Sequence, residues 1–192
     1  MSHYQERGEH VVNLHNKNIF TEEEAKTIPS SPENHLVIPV LHIDVPIIWE
    51  SKESEILKNL KDGVVRFPNT AFPGEIGNVF IVGHSSNWWW DKAKYNSIFA
   101  ALGRLKKNDE ILINYKDQQF IYQVIGSSVV MPDQTEVLES SDNSIISLMT
   151  CTPVGTNWKR LVATAKQVWP EPNTNQIKDD LSPNVNSLPK IR

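Results

Sequence analysis

The chain has 192 residues, of which 39% are hydrophobic and 22% charged, with a formal net charge of −4 and a single cysteine. At about 150 residues per domain, this length holds one domain with extensions. One cysteine excludes an internal disulfide scaffold and a thiolate-rich zinc site, and the acidic balance gives no basic face for nucleic acid.

The apolar runs Val45-Pro46-Ile47-Ile48-Trp49 and Val79-Phe80-Ile81-Val82 fall short of the about 20 residues a membrane-spanning helix needs. The start, Met1-Ser2-His3-Tyr4-Gln5-Glu6-Arg7, leads into no apolar signal segment. By itself this reads as a cytoplasmic protein, or as a fragment of a longer secreted or anchored one.

Residues 1–34 form a polar extension with scattered Val11, Val12, Leu14, Ile19 and Phe20. Thr21 before Glu22-Glu23-Glu24 suits a helix N-cap with carboxylates in the first turn. Pro29 and Pro32 keep any such helix short. From 35 to 169 strand signals dominate. Residues 36–41 and 45–49 flank a turn near 42–44, and Pro39 and Pro46 predict edge positions or strand ends, because proline donates nothing to a ladder. Residues 53–60 predict a helix with Ile56, Leu57 and Leu60 on one face. Residues 78–82 predict a buried strand ending at Gly83-His84, and 96–105 a second helix. Residues 110–115 and 119–124 predict a hairpin closed by Lys116-Asp117-Gln118, with 124–130 continuing its second strand. Two more strands are predicted over 144–150 and 160–168.

Residues 170–192 carry Pro170, Pro172, Pro183 and Pro189 among many Asn and Ser, which predicts a loosely held tail. Ile177, Leu181 and Leu188 still offer it apolar side chains for packing on the core. Many short strands and few helices indicate an all-β barrel or sandwich.

Three residues are candidates for chemistry. Cys151 follows the strand over 144–150 and precedes Thr152-Pro153-Val154-Gly155, so its thiol is expected at a strand end on the barrel rim. A lone cysteine is usually a small buried hydrophobe, but strand-end loops are where scaffolds carry active groups. His84 ends another strand, and a barrel can set two strand ends side by side. A thiol and an imidazole are the minimal acyl-transfer pair, as nucleophile and acid/base. Arg160, nine positions after Cys151, starts the next strand and can return to the same rim. There its charged fork could hold an oxyanion. The alternatives at this point are a core cysteine, a structural histidine and a surface arginine. No His-x-x-x-His pair, Gly-x-Gly-x-x-Gly, Walker loop or Gly-x-Ser-x-Gly is present.

Ser147-Leu148-Met149-Thr150-Cys151-Thr152-Pro153, followed by Arg160-Leu161-Val162, resembles the signature of the sortase family. That signature is a Thr-Leu-x-Thr-Cys motif with an arginine on the next strand; serine stands here at 147 where the family more often has threonine. Val82-Gly83-His84-Ser85 resembles the family's histidine motif, and Leu36-Val37-Ile38-Pro39 with Val45-Pro46-Ile47 is similar to its opening strands. The resemblance spans about residues 35–169.

It implies a mainly β fold: a closed sortase-type barrel of about eight strands with a few short helices, flanked by the extension 1–34 and the tail 170–192. It also implies a cysteine transpeptidase. Such enzymes cleave a sorting signal, commonly Leu-Pro-x-Thr-Gly, after the threonine, and join the new carboxyl end to an amine on cell-wall peptide or protein. Carried over, Cys151 attacks the scissile carbonyl, His84 handles the protons, and Arg160 holds the oxyanion, with Thr150 shaping the pocket.

Trp88 and Trp89, in the triple-Trp run after His84, either pack on the barrel or wall the substrate groove, and Asn87 or Asp91 could orient His84. Residues 131–144 are expected to form the long loop that reads the sorting motif, with Pro132, Asp133 and Leu138 as contacts. No cofactor or metal is implied, and calcium dependence is not legible in the sequence.

The family's N-terminal hydrophobic anchor on the outer face of a bacterial membrane has no counterpart in these residues, which implies a soluble catalytic fragment of a cell-surface enzyme. Its partners would be surface proteins bearing sorting signals and an amine acceptor. Either flank could cover the groove. The Asp-Pro-aromatic tripeptide of pilin-building sortases is absent, which favours an anchoring role. Two other readings remain: an L,D-transpeptidase-like enzyme, whose motif sets a histidine and glycine just before its cysteine, and a non-catalytic β-barrel binding module.

Overall fold

The structure, a computed structural model, describes residues 32–86, 93–172, 183 and 185–189. Its strands are β1 (His35–Ile38), β2 (Ile43–Ile48), β3 (Val64–Arg66), β4 (Gly77–Val82), β5 (Glu110–Tyr115), β6 (Gln118–Val130), β7 (Ser144–Thr152) and β8 (Lys159–Trp169). They close into a barrel in the order β1-β2-β3-β4-β7-β8-β6-β5. This is the mainly β, eight-strand closed barrel that the sequence led us to expect. Among the described residues, no helix is long and apolar enough to cross a membrane.

Alternation along the strands builds two apolar layers. One side of each strand supplies the barrel interior: Leu36 and Ile38, Val45 and Ile47, Val64, Val79 and Ile81, Ile111 and Ile113, Tyr122 and Val124, Ile146 and Leu148, and Ala163 and Ala165. The other side of β4 and β7 is buried as well. Phe80, Val82, Met149 and Cys151 join Val65, Phe67 and Val162 in a second cluster outside the barrel wall. Strands buried on both faces read as near-continuous apolar runs instead of alternating ones. Gly77–Val82 and Ser144–Thr152 therefore carry so few exposed positions. The second cluster is roofed by Ile56 of a one-turn helix, α1 (Ile56–Asn59), by its C-cap Leu60, by Leu138 and by Leu188.

Several local expectations are corrected. The helix over 53–60 is a 3-10 turn, Glu53–Glu55, followed by α1. Leu57 points outward at 49% exposure, because only Ile56 and Leu60, four apart, share a helix face. The helix over 96–105 is a run of turns with a 3-10 segment at Leu102–Arg104. There the Phe99 N–H donates to the His84 carbonyl, and burial of Phe99 and Leu102 outweighs local helix propensity. The turn near 42–44 is a 3-10 turn, Pro39–Leu41, followed by left-handed His42, with β2 starting at Ile43. Pro46 lies in β2, whose ladder to β3 begins only at Ile47, so its missing N–H leaves no gap there. As expected, 119–124 and 124–130 run on as one strand, β6, bent by register shifts near Tyr122 and Gly126.

Candidate active site

Strand register decides which residues meet. β4 and β7 are parallel, with Val82 opposite Met149. The next residues run on in step: the Gly83 N–H donates to the Met149 carbonyl (3.0 Å) and the Thr150 hydroxyl to the Gly83 carbonyl (2.8 Å). His84 stands two residues beyond Val82, past the end of β4, and Cys151 two residues beyond Met149, within β7. β8 runs antiparallel to β7 and pairs Arg160 with Cys151. Facing residues of adjacent strands project from the same side of the sheet. Thus the Cys151 thiol and the Arg160 guanidinium share one outer face, and β4 brings the His84 segment to the same end of the barrel.

This placement corrects one expectation. Cys151 is the penultimate residue of β7, not the residue after it, and its side chain belongs to the covered outer face rather than an open rim. His84 is 2% exposed, Cys151 1% and Arg160 0%.

Arg160 is the largest fully buried side chain. Its Nε donates to the Pro189 carbonyl (3.0 Å), and its Nη1 donates to the Asn157 and Lys159 carbonyls (3.0 and 3.1 Å). Burial lowers its pKa from the ordinary value, and the Cys151 sulfur opposite raises it. An anionic sulfur at Cys151 would thus favour the cationic form of this guanidinium.

The β7–β8 loop is held over the same end. The Thr156 N–H and hydroxyl both donate to the Pro153 carbonyl, and the Gly155 N–H donates to Ser86 Oγ (3.0 Å), two residues past His84.

A scan against family models matches the sortase domain over residues 36–168. The chain belongs to the sortase family. It is 31% identical over 131 residues to sortase A of Bacillus anthracis, covering 68% of this chain and 57% of that protein. It is 25% identical over 137 residues to sortase D of Bacillus subtilis (strain 168), covering 69% and 62%. The matched region therefore spans about three fifths of these curated relatives. Among solved structures, sortase A from Corynebacterium diphtheriae, lid mutant, aligns with a TM-score of 0.60 at 26% identity over 75% of this chain and 74% of that one. The sortase D5 transpeptidase of Clostridium perfringens aligns at 0.58 and 28% over 77% and 89%. Sortase C-1 from Actinomyces oris aligns at 0.58 and 28% over 70% and 72%.

Within this sortase domain, the other residues singled out from sequence fall differently. The Thr150 hydroxyl donates to the Gly83 carbonyl and so ties β7 to the histidine segment. Pro132, half-buried, accepts a main-chain bond from Leu188. Leu138 is buried in the cluster that holds Cys151, while Asp133 is exposed. Trp88 and Trp89, with Asn87 and Asp91, lie outside the described residues. Among the described residues, no three His, Cys, Asp or Glu side chains are grouped to hold a metal.

Two features gain their partners only in the structure. One is the close approach behind Gly83, where a Cβ would stand 2.4 Å from Cδ2 of the buried Phe99 ring. The Gly-His dipeptide was its only signal. The other is the tail: Leu188 is 1% exposed in the same cluster as Cys151, and burying a leucine contributes about 1.5–3 kcal/mol. Leu188 is one of the three tail residues that the sequence offers for packing on the core.

Gly83→Ala is expected to cost about 1–3 kcal/mol through overpacking against Phe99. That lowers the melting midpoint by about 2–4 °C per kcal/mol in a domain of this size and displaces His84 next to it. Calorimetry and a single-turnover assay check both effects. Thr150→Val removes the tie to the Gly83 carbonyl and is expected to cost about 1–3 kcal/mol, with Thr150→Ser recovering most of it in the same melt.

Proposed function

We propose that this sortase domain is a cysteine transpeptidase acting on Leu-Pro-x-Thr-Gly-like sorting signals of bacterial surface proteins. The observation that carries the reading is the shared register of β4, β7 and β8, which supports a working set of His84, Cys151 and Arg160 on one face.

In this mechanism the Cys151 thiolate attacks the threonine carbonyl carbon, and the Arg160 guanidinium donates to the oxyanion that develops. Such a donor in a water-poor site is worth about 2.7–4 kcal/mol at the transition state. As the tetrahedral intermediate collapses, the threonine–glycine C–N bond breaks and His84 protonates the departing amine. A thioester between Cys151 and the threonine remains. An incoming amine then attacks it; His84 accepts the amine's proton, the sulfur leaves as thiolate, and an amide joins the sorted protein to its acceptor. Pro132 and Leu138 flank the face where the sorting motif lies.

The acceptor is an amine of cell-wall peptide or protein, and the workplace is the outer surface of the membrane. The test is cleavage of a quenched Leu-Pro-x-Thr-Gly peptide with and without an added amine. Cleavage with amide formation is the expected result. An intact peptide beside a correctly folded chain would refute the reading.

A further inference from the structure

The face that carries His84, Cys151 and Arg160 is already occupied. Val185 packs half-buried against the apolar cluster around Cys151, and Leu188 sits within it. The Leu188 N–H donates to the Pro132 carbonyl (2.6 Å), and the Pro189 carbonyl accepts from Arg160 Nε (3.0 Å). Asn186 and Ser187, between the two anchors, are exposed. A buried apolar anchor with main-chain bonds to walls on both sides is how grooves hold a peptide.

We infer that the C-terminal segment around Val185–Pro189 is an intramolecular occupant of the acyl-donor groove, which a substrate must displace. This rests on the transpeptidase reading for the identity of the competing substrate. An acyl donor would need three things: the Arg160 donor that now faces Pro189, the apolar pocket that Leu188 fills, and access to a thiol that is 1% exposed in the same cluster. The tail and the peptide cannot hold these together. The tail also offers Leu188-Pro189, the dipeptide that opens the proposed sorting signal. Occupancy of this kind multiplies the apparent affinity for substrate by the fraction of molecules whose groove is open, so the apparent Kd is the intrinsic Kd divided by that fraction.

The full-length chain carries the test, with Leu188→Asp and the milder Leu188→Ser, each checked for a wild-type thermal melt. Both remove the burial of the leucine, which is expected to open the groove about tenfold or more. Iodoacetamide should then alkylate Cys151 about tenfold faster than in wild type, while Leu188→Met stays near the wild-type rate. A synthetic peptide matching residues 183–192 should slow alkylation of Leu188→Asp again. Alkylation within twofold of wild type in the folded variants overturns the inference. Faster alkylation without cleavage of a Leu-Pro-x-Thr-Gly peptide keeps the tail as occupant and removes the sorting-signal reading. Cleavage with unchanged alkylation does the reverse.

Discussion

Cys151→Ala is expected to reduce both cleavage and transfer to background, a loss on the order of 10⁴-fold or more for removal of a covalent nucleophile. The fold should tolerate the change. Cys151 lies in a strand paired on both sides, and loss of one sulfur from the cluster costs far less than loss of a whole leucine side chain. The variant should therefore melt close to wild type while turning over nothing. Mass spectrometry of wild-type protein mixed with sorting peptide should show an added acyl group on Cys151, absent in the alanine variant. Full activity of Cys151→Ala would remove the mechanism altogether.

Arg160→Lys is expected to lose about 10²–10³ in kcat, the range for one oxyanion donor, although charge is formally conserved. The guanidinium donates through two nitrogens to three carbonyls, of Pro189, Asn157 and Lys159. A lysine ammonium is a single point on a flexible stem and cannot hold that planar fork. Desolvation, the force that lowers the Arg160 pKa, would act equally on a lysine, which starts from about 10.4. The sign follows: a lowered pKa removes the cation as pH rises, so the deficit of Arg160→Lys should deepen on the alkaline side. Separate kcat and KM measurements across pH, with a thermal melt beside them, distinguish this from simple destabilisation. A kcat within a few-fold of wild type at all pH values would exclude Arg160 as the oxyanion donor.

Strand content was legible because β-branched and aromatic residues cluster at even spacing, as in 110–115 and 160–168. The special status of Cys151 was legible as well, since Thr-Cys-Thr-Pro, the upstream Gly-His and the spaced arginine form a combination that composition alone does not produce. The helices were the weak point. At 53–60 and 96–105 the local pattern allowed a helix, but short helices gain little from propensity, and contacts such as Phe99 against Gly83 set the backbone instead. Where the tail packs was decided for a related reason. Its composition predicts loose attachment, yet one leucine finds a pocket assembled from β3, β4, β7, α1 and the β6–β7 loop.

The sequence by itself determined the fold class, the family resemblance and three candidate side chains, because residue type, alternation and motif spacing are local properties. Only the tertiary structure decided that Cys151 and Arg160 pair across one face and that the His84 segment comes to the same end. That depends on parallel pairing of β4 with β7, residues more than sixty apart in the chain, and a one-residue slip in that ladder would turn Cys151 into the barrel interior. The covering of that face by Leu188 is likewise tertiary, because a buried leucine and an exposed one have the same sequence and differ only in what has folded around them.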